Sequence, residues 1–189
     1  YEYLPPSEHG KHGRLAAMLR RASHDLRPSE PDHGDIDKLL DMIEEAKKPL
    51  VLVGGGVIRS KGAVPEFRRF VERLGAPVAS TIMGGGACPG SHPLFTGMIG
   101  MHGSHASNHA SDQCDLLIID DLGTEMTTQF VCSALYHVVN TRLMESRPPI
   151  ITTNLTPEQL SLRYSPQIAS RLLGTYRLIQ FVGQDIRRL

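Results

Sequence analysis

Apolar residues recur along the chain with two spacings, one typical of amphipathic helices and one typical of buried strands. In the segment DIDKLLDMIEEAKK the apolar side chains are spaced i, i+3, i+4 and i+7, at Ile36, Leu39, Leu40 and Ile43. This spacing places them on one face of a helix, and Asp35 is a suitable N-cap residue. The sequence therefore predicts an amphipathic helix that begins at Asp35.

Short apolar runs bounded by glycine, proline or polar residues predict buried strands. Such runs are PLVLVGGG at 49–56, APVAST at 76–81, DLLIID at 115–120, PPIITTN at 148–154 and YRLIQF at 176–181. The Gly/Pro-rich stretch at 84–103 is predicted to be a loop. Each run ends at a helix-like pattern or a loop, which is typical of strand–helix repeats.

Helices are predicted between these strands. One has apolar spacing from Phe67 and stops at Gly75, and two more cover about 104–112 and 124–146. Two further helices are expected to start at Thr156-Pro157 and Ser165-Pro166, where a capping residue precedes proline, and Gln159 is the expected capping-box partner of Thr156. The alternation predicts a three-layer α/β/α fold with a mainly parallel, Rossmann-like sheet.

The predicted elements divide the 189-residue chain into two parts. Residues 1–35 are rich in proline, histidine and charge, which predicts a linker with one short helix. Residues 36–189 are predicted to form one composite α/β domain, because the length suits a single core. The chain starts with Tyr1 rather than Met, which is compatible with a fragment or a processed product.

Composition narrows the classes of function only slightly. Lys plus Arg and Asp plus Glu both total 20, so the chain has no net positive charge that would favour binding to nucleic acid or to an anionic membrane. No apolar run approaches the roughly 18 residues of a membrane span. The three cysteines, Cys88, Cys114 and Cys132, form no C-x-x-C pair, which argues against a zinc site or a disulfide framework. A cytoplasmic protein is the expectation.

The segment LVLVGGGVIRSKGA combines a buried strand with a glycine turn, which allows a phosphate to approach the backbone. It does not match a Walker A loop. If Lys61 is aligned with the lysine of G-x-x-x-x-G-K-[ST], Ser60 replaces the second glycine and Gly62 replaces the magnesium-binding hydroxyl. Lys61 is a candidate phosphate ligand only if this loop acts as a substitute for a P-loop.

Residues from about 36 to 118 resemble the central domain of acetolactate synthase, a thiamine-diphosphate-dependent enzyme. The resemblance lies in AKKPLVLVGGGVIRSKGA, LGAPVASTIMGGGACPGSHPLFTGMIGMHGSHASNHA and CDLLI. It implies a Rossmann-like domain that holds a structural FAD or its vestige. The implied flavin contacts are Gly54, Gly55, Gly56, Thr81, Ile82, Met83, Gly100, Met101, His102 and Gly103.

The same resemblance implies that thiamine chemistry lies in other domains. The activating glutamate of that family belongs to an N-terminal domain, and its diphosphate and magnesium motif belongs to a C-terminal domain. Thiamine diphosphate is therefore not expected to bind this chain alone. After CDLLI the family continues to an RFDDR-like flavin segment, whereas IDDLGTE follows here. A flavin site would lack that part.

Three histidines within and after the segment 100–103 form a candidate metal site. His102, His105 and His109 have the spacing H-x-x-H-x-x-x-H, which can bring imidazoles to one helix face. They fall inside the acetolactate synthase resemblance, where they form no metal cluster. The favoured interpretation is loop and helix-start histidines.

The run LLIIDD predicts a strand that delivers Asp120 and Asp121 to the carboxyl edge of a parallel sheet, where doubly wound folds bind ligands. Magnesium prefers such carboxylate oxygens. The segment from Cys114 to Leu189 resembles the C-terminal half of a DnaC/IstB-like AAA+ ATPase. That resemblance implies Asp120 as metal ligand, Asp121 as the residue polarising water, Asn154 as sensor 1 and Arg171 as arginine finger. Arg187 or Arg188 would be the sensor-2 residue.

The two resemblances meet at CDLLI, so the sequence reads as a chimera with this strand as its seam. The ATPase half would lack its Walker A loop, and the two families place different strands beside the seam strand. In the first family the LVLVGGG strand is its neighbour, whereas in AAA+ proteins the strand that carries sensor 1 lies between the Walker B strand and the P-loop strand. Both arrangements cannot occur in one sheet.

The function expected from the sequence is a hybrid nucleotide-binding α/β protein without turnover. The alternatives are a residual Mg-ATP-binding ATPase related to helicase loaders, a flavin-binding or non-catalytic fragment of an acetolactate synthase, and a purely structural or interaction domain. FAD and Mg-ATP are the candidate cofactors. A homo-oligomer is a possible assembly, and DNA or a replicative helicase enters as a partner by analogy with the ATPase family alone.

Overall fold

The structure is a computed structural model that describes residues 33–147 and 149–181. The linker predicted for residues 1–35 lies outside the described residues, except for its last three positions, which are helical. The candidate sensor-2 residues Arg187 and Arg188 also lie outside them.

Five strands form one sheet: β1 Pro49–Val53, β2 Val78–Ser80, β3 Phe95–Met98, β4 Leu116–Ile119 and β5 Ile150–Ile151. Their order is β3-β2-β1-β4-β5. Every pair of neighbouring strands is parallel. The carboxyl ends of all five strands therefore lie along one edge of the sheet.

The described part of the chain has seven helices: α1 His33–Glu45, α2 Gly55–Arg59, α3 Ala63–Leu74, α4 His105–Gln113, α5 Gln129–Met144, α6 Pro157–Arg163 and α7 Pro166–Thr175. A short 3₁₀ turn, Ile82–Gly84, follows β2. None of the described helices is long and apolar enough to cross a membrane.

The sheet separates two layers of helices, because alternate strand residues face opposite sides. On one face, Val51 and Val53 pack in a cluster with Phe67 and Val71 of α3. On the other face, Leu50 and Leu117 belong to a cluster that includes side chains of α4 and α5. The predicted three-layer α/β/α fold with a parallel sheet is confirmed.

A further apolar cluster lies beyond β4 and joins α5, α6 and α7. Its buried members are Leu122, Leu135, Val139, Leu160, Tyr164, Ile168 and Leu172. Ile151 of β5 packs against it, and also against the cluster on the α4 and α5 face. The second half of the chain is therefore packed onto the same sheet as the first half.

The helix ends follow the predicted capping chemistry. Gly75 ends α3 in the left-handed conformation, with φ of 66°, and donates its N–H to the Val71 carbonyl. Thr156 and Gln159 form a complete capping box at α6. Ser165 accepts a hydrogen bond from the Ile168 N–H at the start of α7. These three predictions are confirmed.

Two predicted elements are wrong. The segment 176–181 forms no strand, and Phe181 is exposed. Its apolar spacing is not enough, because a strand needs a hydrogen-bonding neighbour and β5 is only two residues long. Conversely, the predicted loop at 84–103 contains β3, which pairs with β2 as an edge strand.

Several predicted boundaries also shift. The helix predicted for 124–146 begins only after its N-cap Thr128, and the strand predicted for 148–154 is reduced to Ile150–Ile151. Asp35 lies inside the first turn of α1 rather than at its N-cap. Arg177 donates two hydrogen bonds to the buried Asp35 carboxylate, at 3.1 and 2.7 Å, which connects the two ends of the described chain.

The strand order decides between the two arrangements expected at the seam. β1 and β4 are direct neighbours, with Leu50 opposite Leu117 and Val51 opposite Ile118. β5 pairs with β4 on the side away from β1. The order thus has the adjacency that the acetolactate synthase resemblance implies, and the sensor-1 strand of the ATPase resemblance does not lie between β1 and β4.

Candidate functional site

The candidate site lies along the carboxyl edge of the sheet, where four strands end in residues that the sequence singles out. Gly54–Gly56 follow β1, Thr81–Met83 follow β2, Gly100–Gly103 lie just beyond β3, and Asp120 and Asp121 follow β4. Parallel strands bring their carboxyl ends together, so these segments become neighbours despite their separation in sequence.

The three glycines after β1 allow unusually close contacts with neighbouring segments. A Cβ atom on Gly54 would lie 2.9 Å from the backbone oxygen of Asp120, and one on Gly55 would lie 3.1 Å from Cβ of Met83. A Cβ on Gly56 would lie 1.9 Å from Oδ2 of Asp121. The absence of side chains is therefore what lets this turn contact both the end of β4 and the 3₁₀ turn.

The 3₁₀ turn presents apolar side chains to solvent at this edge. Thr81 caps the turn by accepting a hydrogen bond from the Gly84 N–H. Ile82 is 80% exposed and Met83 is 47% exposed, while Met101 in the loop after β3 is 76% exposed. Exposed large apolar side chains beside a glycine turn are suited to cover a planar aromatic ligand.

The loop after β3 is held by a side chain that the sequence did not single out. Asn108 of α4 donates to the Gly100 carbonyl at 2.9 Å and accepts from the Gly100 N–H at 3.0 Å. Gly100 has φ of 112°, which favours glycine, and the Gly103 N–H closes the loop onto the Gly100 carbonyl. His102 is exposed in this loop. The amide of Asn108 thus fixes the backbone of a predicted flavin-contact segment.

The acid pair lies beside the glycine turn. Burial raises the pKa of Asp120, and the neighbouring Asp121 carboxylate raises it further. The nearby N–H groups of Gly54 and Val57 and the Thr152 hydroxyl oppose this rise in the pKa. Oδ2 of Asp120 is buried and has no hydrogen-bond partner in the described part of the chain. The neutral form of Asp120 is therefore favoured relative to an exposed aspartate.

Replacement of Asp120 by asparagine should raise stability in a pH-dependent way. A carboxyl whose pKa is raised in the folded state stabilises fully below its unfolded pKa, about 3.9, and loses that stability as pH rises through the folded pKa. We therefore expect Asp120→Asn to unfold at a higher temperature than the wild type at pH 7. The difference should shrink as the pH is lowered to about 4, as measured by circular dichroism melting.

The control for this measurement is Asp112→Asn, which removes an exposed carboxylate on α4. It should change the melting temperature little at either pH. A difference between Asp120→Asn and the wild type that is the same at pH 4 and pH 7 would show that the ionisation of Asp120 does not oppose folding.

Asp121 is held by its backbone conformation and by its hydrogen bonds. Its φ is 52°, in the left-handed region. Its N–H donates to the Thr152 hydroxyl at 2.8 Å, and its Oδ1 accepts from Nδ2 of Asn154 at 2.9 Å. The structure therefore brings Asn154, the predicted sensor residue, to the acid pair, and it adds Thr152, which the sequence did not indicate.

The other two predicted residues lie apart from the acid pair's contacts. Lys61 is exposed beyond α2. Arg171 of α7 donates to Asn140 and Tyr136 of α5, and its guanidinium lies 4.7 Å from the centre of the Tyr136 ring. These contacts place Arg171 in the packing between α5 and α7. Its assignment as an arginine finger stays a prediction.

Residues 33–147 and 149–181 contain no group of three or more His, Cys, Asp or Glu side chains that is arranged to hold a metal ion. The rings of His105 and His109 are stacked, with centroids 5.9 Å apart. Asp120 remains a predicted metal ligand that would need oxygen atoms from a bound nucleotide or water to complete its shell.

Comparison with known proteins identifies the family. A family model described as "Thiamine pyrophosphate enzyme, central domain" matches residues 36–177, which is well over half of the chain. The chain belongs to this family. The match extends past the CDLLI strand, so this central domain includes most of the segment that resembles the ATPase. The ATPase resemblance gains no support from the comparisons.

Individual relatives carry the name acetolactate synthase. The chain is 48% identical over 83 residues to a probable acetolactate synthase large subunit of Methanocaldococcus jannaschii, which covers 44% of this chain and 14% of the relative. It is 41% identical over 86 residues to acetolactate synthase isozyme 2 large subunit of Escherichia coli K12, with 46% and 16% covered.

A longer alignment has lower identity. The chain is 29% identical over 187 residues to the acetolactate synthase large subunit of Cyanidium caldarium, which covers 84% of this chain and 29% of the relative. In all three comparisons the chain thus spans less than a third of the relative's length. The similarity identifies this central domain and not the whole enzyme.

Proposed function

We propose that the chain is the central domain of an acetolactate synthase-like thiamine diphosphate enzyme and that the carboxyl edge of its sheet binds FAD. The observation that carries this proposal is the apolar surface at this edge, where Ile82, Met83 and Met101 expose their side chains and Met83 lies beside Gly55 of the glycine turn. A flavin dinucleotide needs such apolar surface for its rings.

The described residues fit such a ligand at the loop after β3, where Asn108 holds the predicted contact segment Gly100–Gly103 through both hydrogen bonds to Gly100. The glycine turn after β1 is buried, and atoms of Asp120, Met83 and Asp121 occupy the space beside it. When bound, FAD would supply a redox-active isoalloxazine ring, to which the family resemblance gives a structural role. The protein's own contribution is to bind and orient it.

Thiamine chemistry belongs to the whole enzyme in this proposal. The chain spans 14–29% of the relatives described above. The domains that resemblance assigns to thiamine diphosphate are separate from the central domain. We therefore propose that this chain, without the other domains, binds FAD and does not turn over an acetolactate synthase substrate.

Substitution of the exposed apolar residues should weaken FAD binding without unfolding the protein. We expect Ile82→Ser and Met101→Ser each to raise the Kd for FAD about tenfold, because each removes apolar surface available to the ring system. The measurement is flavin fluorescence titration of the purified chain. Circular dichroism melting should show little change, because both side chains are already exposed.

The matched control is Leu162→Ser, which removes an 87% exposed apolar side chain on α6. Leu162 is outside the proposed contact segments, so this variant should bind FAD like the wild type. Equal Kd values for all four proteins would reject the assignment of the 3₁₀ turn and the loop after β3 as flavin contacts. A wild-type chain that takes up no FAD would reject the proposed function itself.

A second candidate is a residual Mg-nucleotide site, which is the ATPase half of the hybrid interpretation. One specific observation favours it: Oδ2 of Asp120 is buried and has no hydrogen-bond partner among the described residues, and Asn154 contacts the adjacent Asp121. Titration with ATP and magnesium tests it beside FAD. Binding that requires magnesium would support this candidate, whereas FAD binding without a magnesium requirement supports the central-domain assignment.

A further inference from the structure

His105 and His109 lie side by side on the exposed face of α4. Their spacing of four residues places them one turn apart on the same side of the helix. Their rings are stacked, with centroids 5.9 Å apart and an angle of 17° between the ring planes. The structure thus brings together two of the three histidines whose spacing in the sequence allowed a metal site.

The packing of α4 explains why this face is open to solvent. Ser104 caps the helix by accepting a hydrogen bond from the Ser107 N–H at 3.0 Å. Ser107 is fully buried, and its hydroxyl lies 2.9 Å from the hydroxyl of Thr96 in β3. Ser107 therefore marks the side of α4 that meets the sheet. His105 and His109, two residues before and two after it, point to the opposite side.

The ring nitrogens of this pair are available to a ligand. In the part of the chain that the structure describes, neither imidazole forms a hydrogen bond or an ion pair. Both side chains are exposed, so rotation about their own bonds moves the nitrogens without disturbing the core. Asp112, three residues after His109, is exposed on the same face, and its negative charge favours a cation there.

We propose that His105 and His109 form a two-histidine chelating site for a divalent transition metal ion of the Ni²⁺ and Cu²⁺ class. Neutral imidazole suits these ions, and two histidines four residues apart on one helix face is a spacing by which helices bind metal. Water completes the coordination, because the described residues hold no group of three His, Cys, Asp or Glu ligands. The site uses none of the proposed flavin contacts and does not depend on them.

Chelation makes a prediction that two separate histidines do not make. Once one nitrogen has bound the ion, the second ring is an intramolecular ligand at high effective concentration, so loss of either ring removes the benefit of both. We expect His105→Asn and His109→Asn each to weaken the tightest Ni²⁺ binding at least tenfold. The double variant should be similar to each single variant.

The measurement is isothermal titration calorimetry of the untagged chain with Ni²⁺. The chain has nine histidines, so a matched control is needed for nickel bound elsewhere. His137→Asn supplies it, because His137 is exposed on α5 and has no histidine one turn away. This variant should bind Ni²⁺ like the wild type. Ni²⁺ should also raise the melting temperature of the wild type and of His137→Asn, but not of the α4 variants.

A second control changes the spacing and keeps the number of histidines. His109→Asn combined with Asp112→His leaves two exposed rings on α4 that are seven residues apart, about 10 Å along the helix axis. One ion cannot bind both, so this variant should lose the tight binding. Without Ni²⁺ all variants should melt like the wild type, because every altered side chain is exposed.

Three results would overturn the inference. Single variants that bind Ni²⁺ as tightly as the wild type would place the tight binding elsewhere in the chain. Effects of His105→Asn and His109→Asn that add in the double variant would show two separate ligands rather than chelation. Tight binding by the spacing variant would show that the four-residue spacing does not matter. None of these results depends on whether the chain binds FAD.

Discussion

Substitution of Gly84 by alanine is expected to destabilise the protein by about 2–3 kcal/mol. A Cβ atom at this position would lie 2.2 Å from the carbonyl oxygen of Val53 and 2.9 Å from its carbonyl carbon. Both contacts are with the backbone at the end of β1, which cannot move without disturbing the centre of the sheet. The 3₁₀ turn must shift instead, and it carries Ile82 and Met83 with it.

Gly90→Ala is the matched control, because no atom lies within 4 Å of the Cβ it would add. Its effect should stay within about 0.5 kcal/mol. Urea unfolding followed by circular dichroism measures both variants. The close approach of the 3₁₀ turn to β1 would be refuted if Gly84→Ala were as stable as Gly90→Ala. Weaker FAD binding by Gly84→Ala at a temperature where it stays folded would connect this packing with the site.

Those features of the fold that depend on local chemistry were predictable from the sequence. The run PLVLV has no polar residue and forms the central strand, and Thr156 with Gln159 forms the capping box that their spacing predicts. Gly75 ends α3 as expected. In each case the determining contacts lie within a few residues, so the pattern of side chains is sufficient.

Features that depend on a distant partner were not predictable in the same way. β3 was missed because FTGM contains Gly97, with φ of 109°, and lies in a Gly/Pro-rich stretch. It is a strand because β2 is available beside it. The segment YRLIQF has a stronger strand pattern and forms none. Instead, Arg177 within it bonds Asp35, at the other end of the described chain.

The candidate site likewise has features that were predictable from the sequence and features that depend on distant partners. Its location was predictable, because glycines and acids that end parallel strands must meet at one edge. The contact of the Asp121 carboxylate with Gly56 was not, since it depends on a left-handed backbone at a non-glycine residue and on bonds from Thr152 and Asn154. Asn108 was missed because its role appears only once Gly100 is known to lie beside α4.

The strand order also bears on the chimera interpretation. A sheet in which β1 and β4 are neighbours needs only the arrangement expected of the acetolactate synthase resemblance, and the family match runs through both sides of the seam. Asp120 and Asp121 can therefore be explained as two residues at the edge of one central domain. An ATPase ancestry for residues beyond 118 remains a prediction that rests on sequence resemblance.

Substitution of Ile168 by alanine is expected to cost about 2–5 kcal/mol, because this side chain is 1% exposed within the cluster of α5, α6 and α7. Leu162→Ala, on the neighbouring helix but 87% exposed, should cost less than about 0.5 kcal/mol. This pair of variants also tests whether residues on both sides of the CDLLI strand unfold as one unit.

Hydrogen exchange read by mass spectrometry supplies that second test. β4 is bonded to β1 on one side and to β5 on the other, so loss of the α5–α7 cluster should loosen a sheet that the first half shares. We therefore expect Ile168→Ala to accelerate exchange in peptides covering β1 by about the same factor as in peptides covering α7. Faster exchange confined to α7 would instead mean that the two halves unfold independently and that residues 36–189 are not one cooperative domain. That outcome would favour a composite of two separately stable parts. Faster exchange in both β1 and α7 requires instead that the sheet couples the stability of the Ile168 cluster to that of Leu50 and Val51.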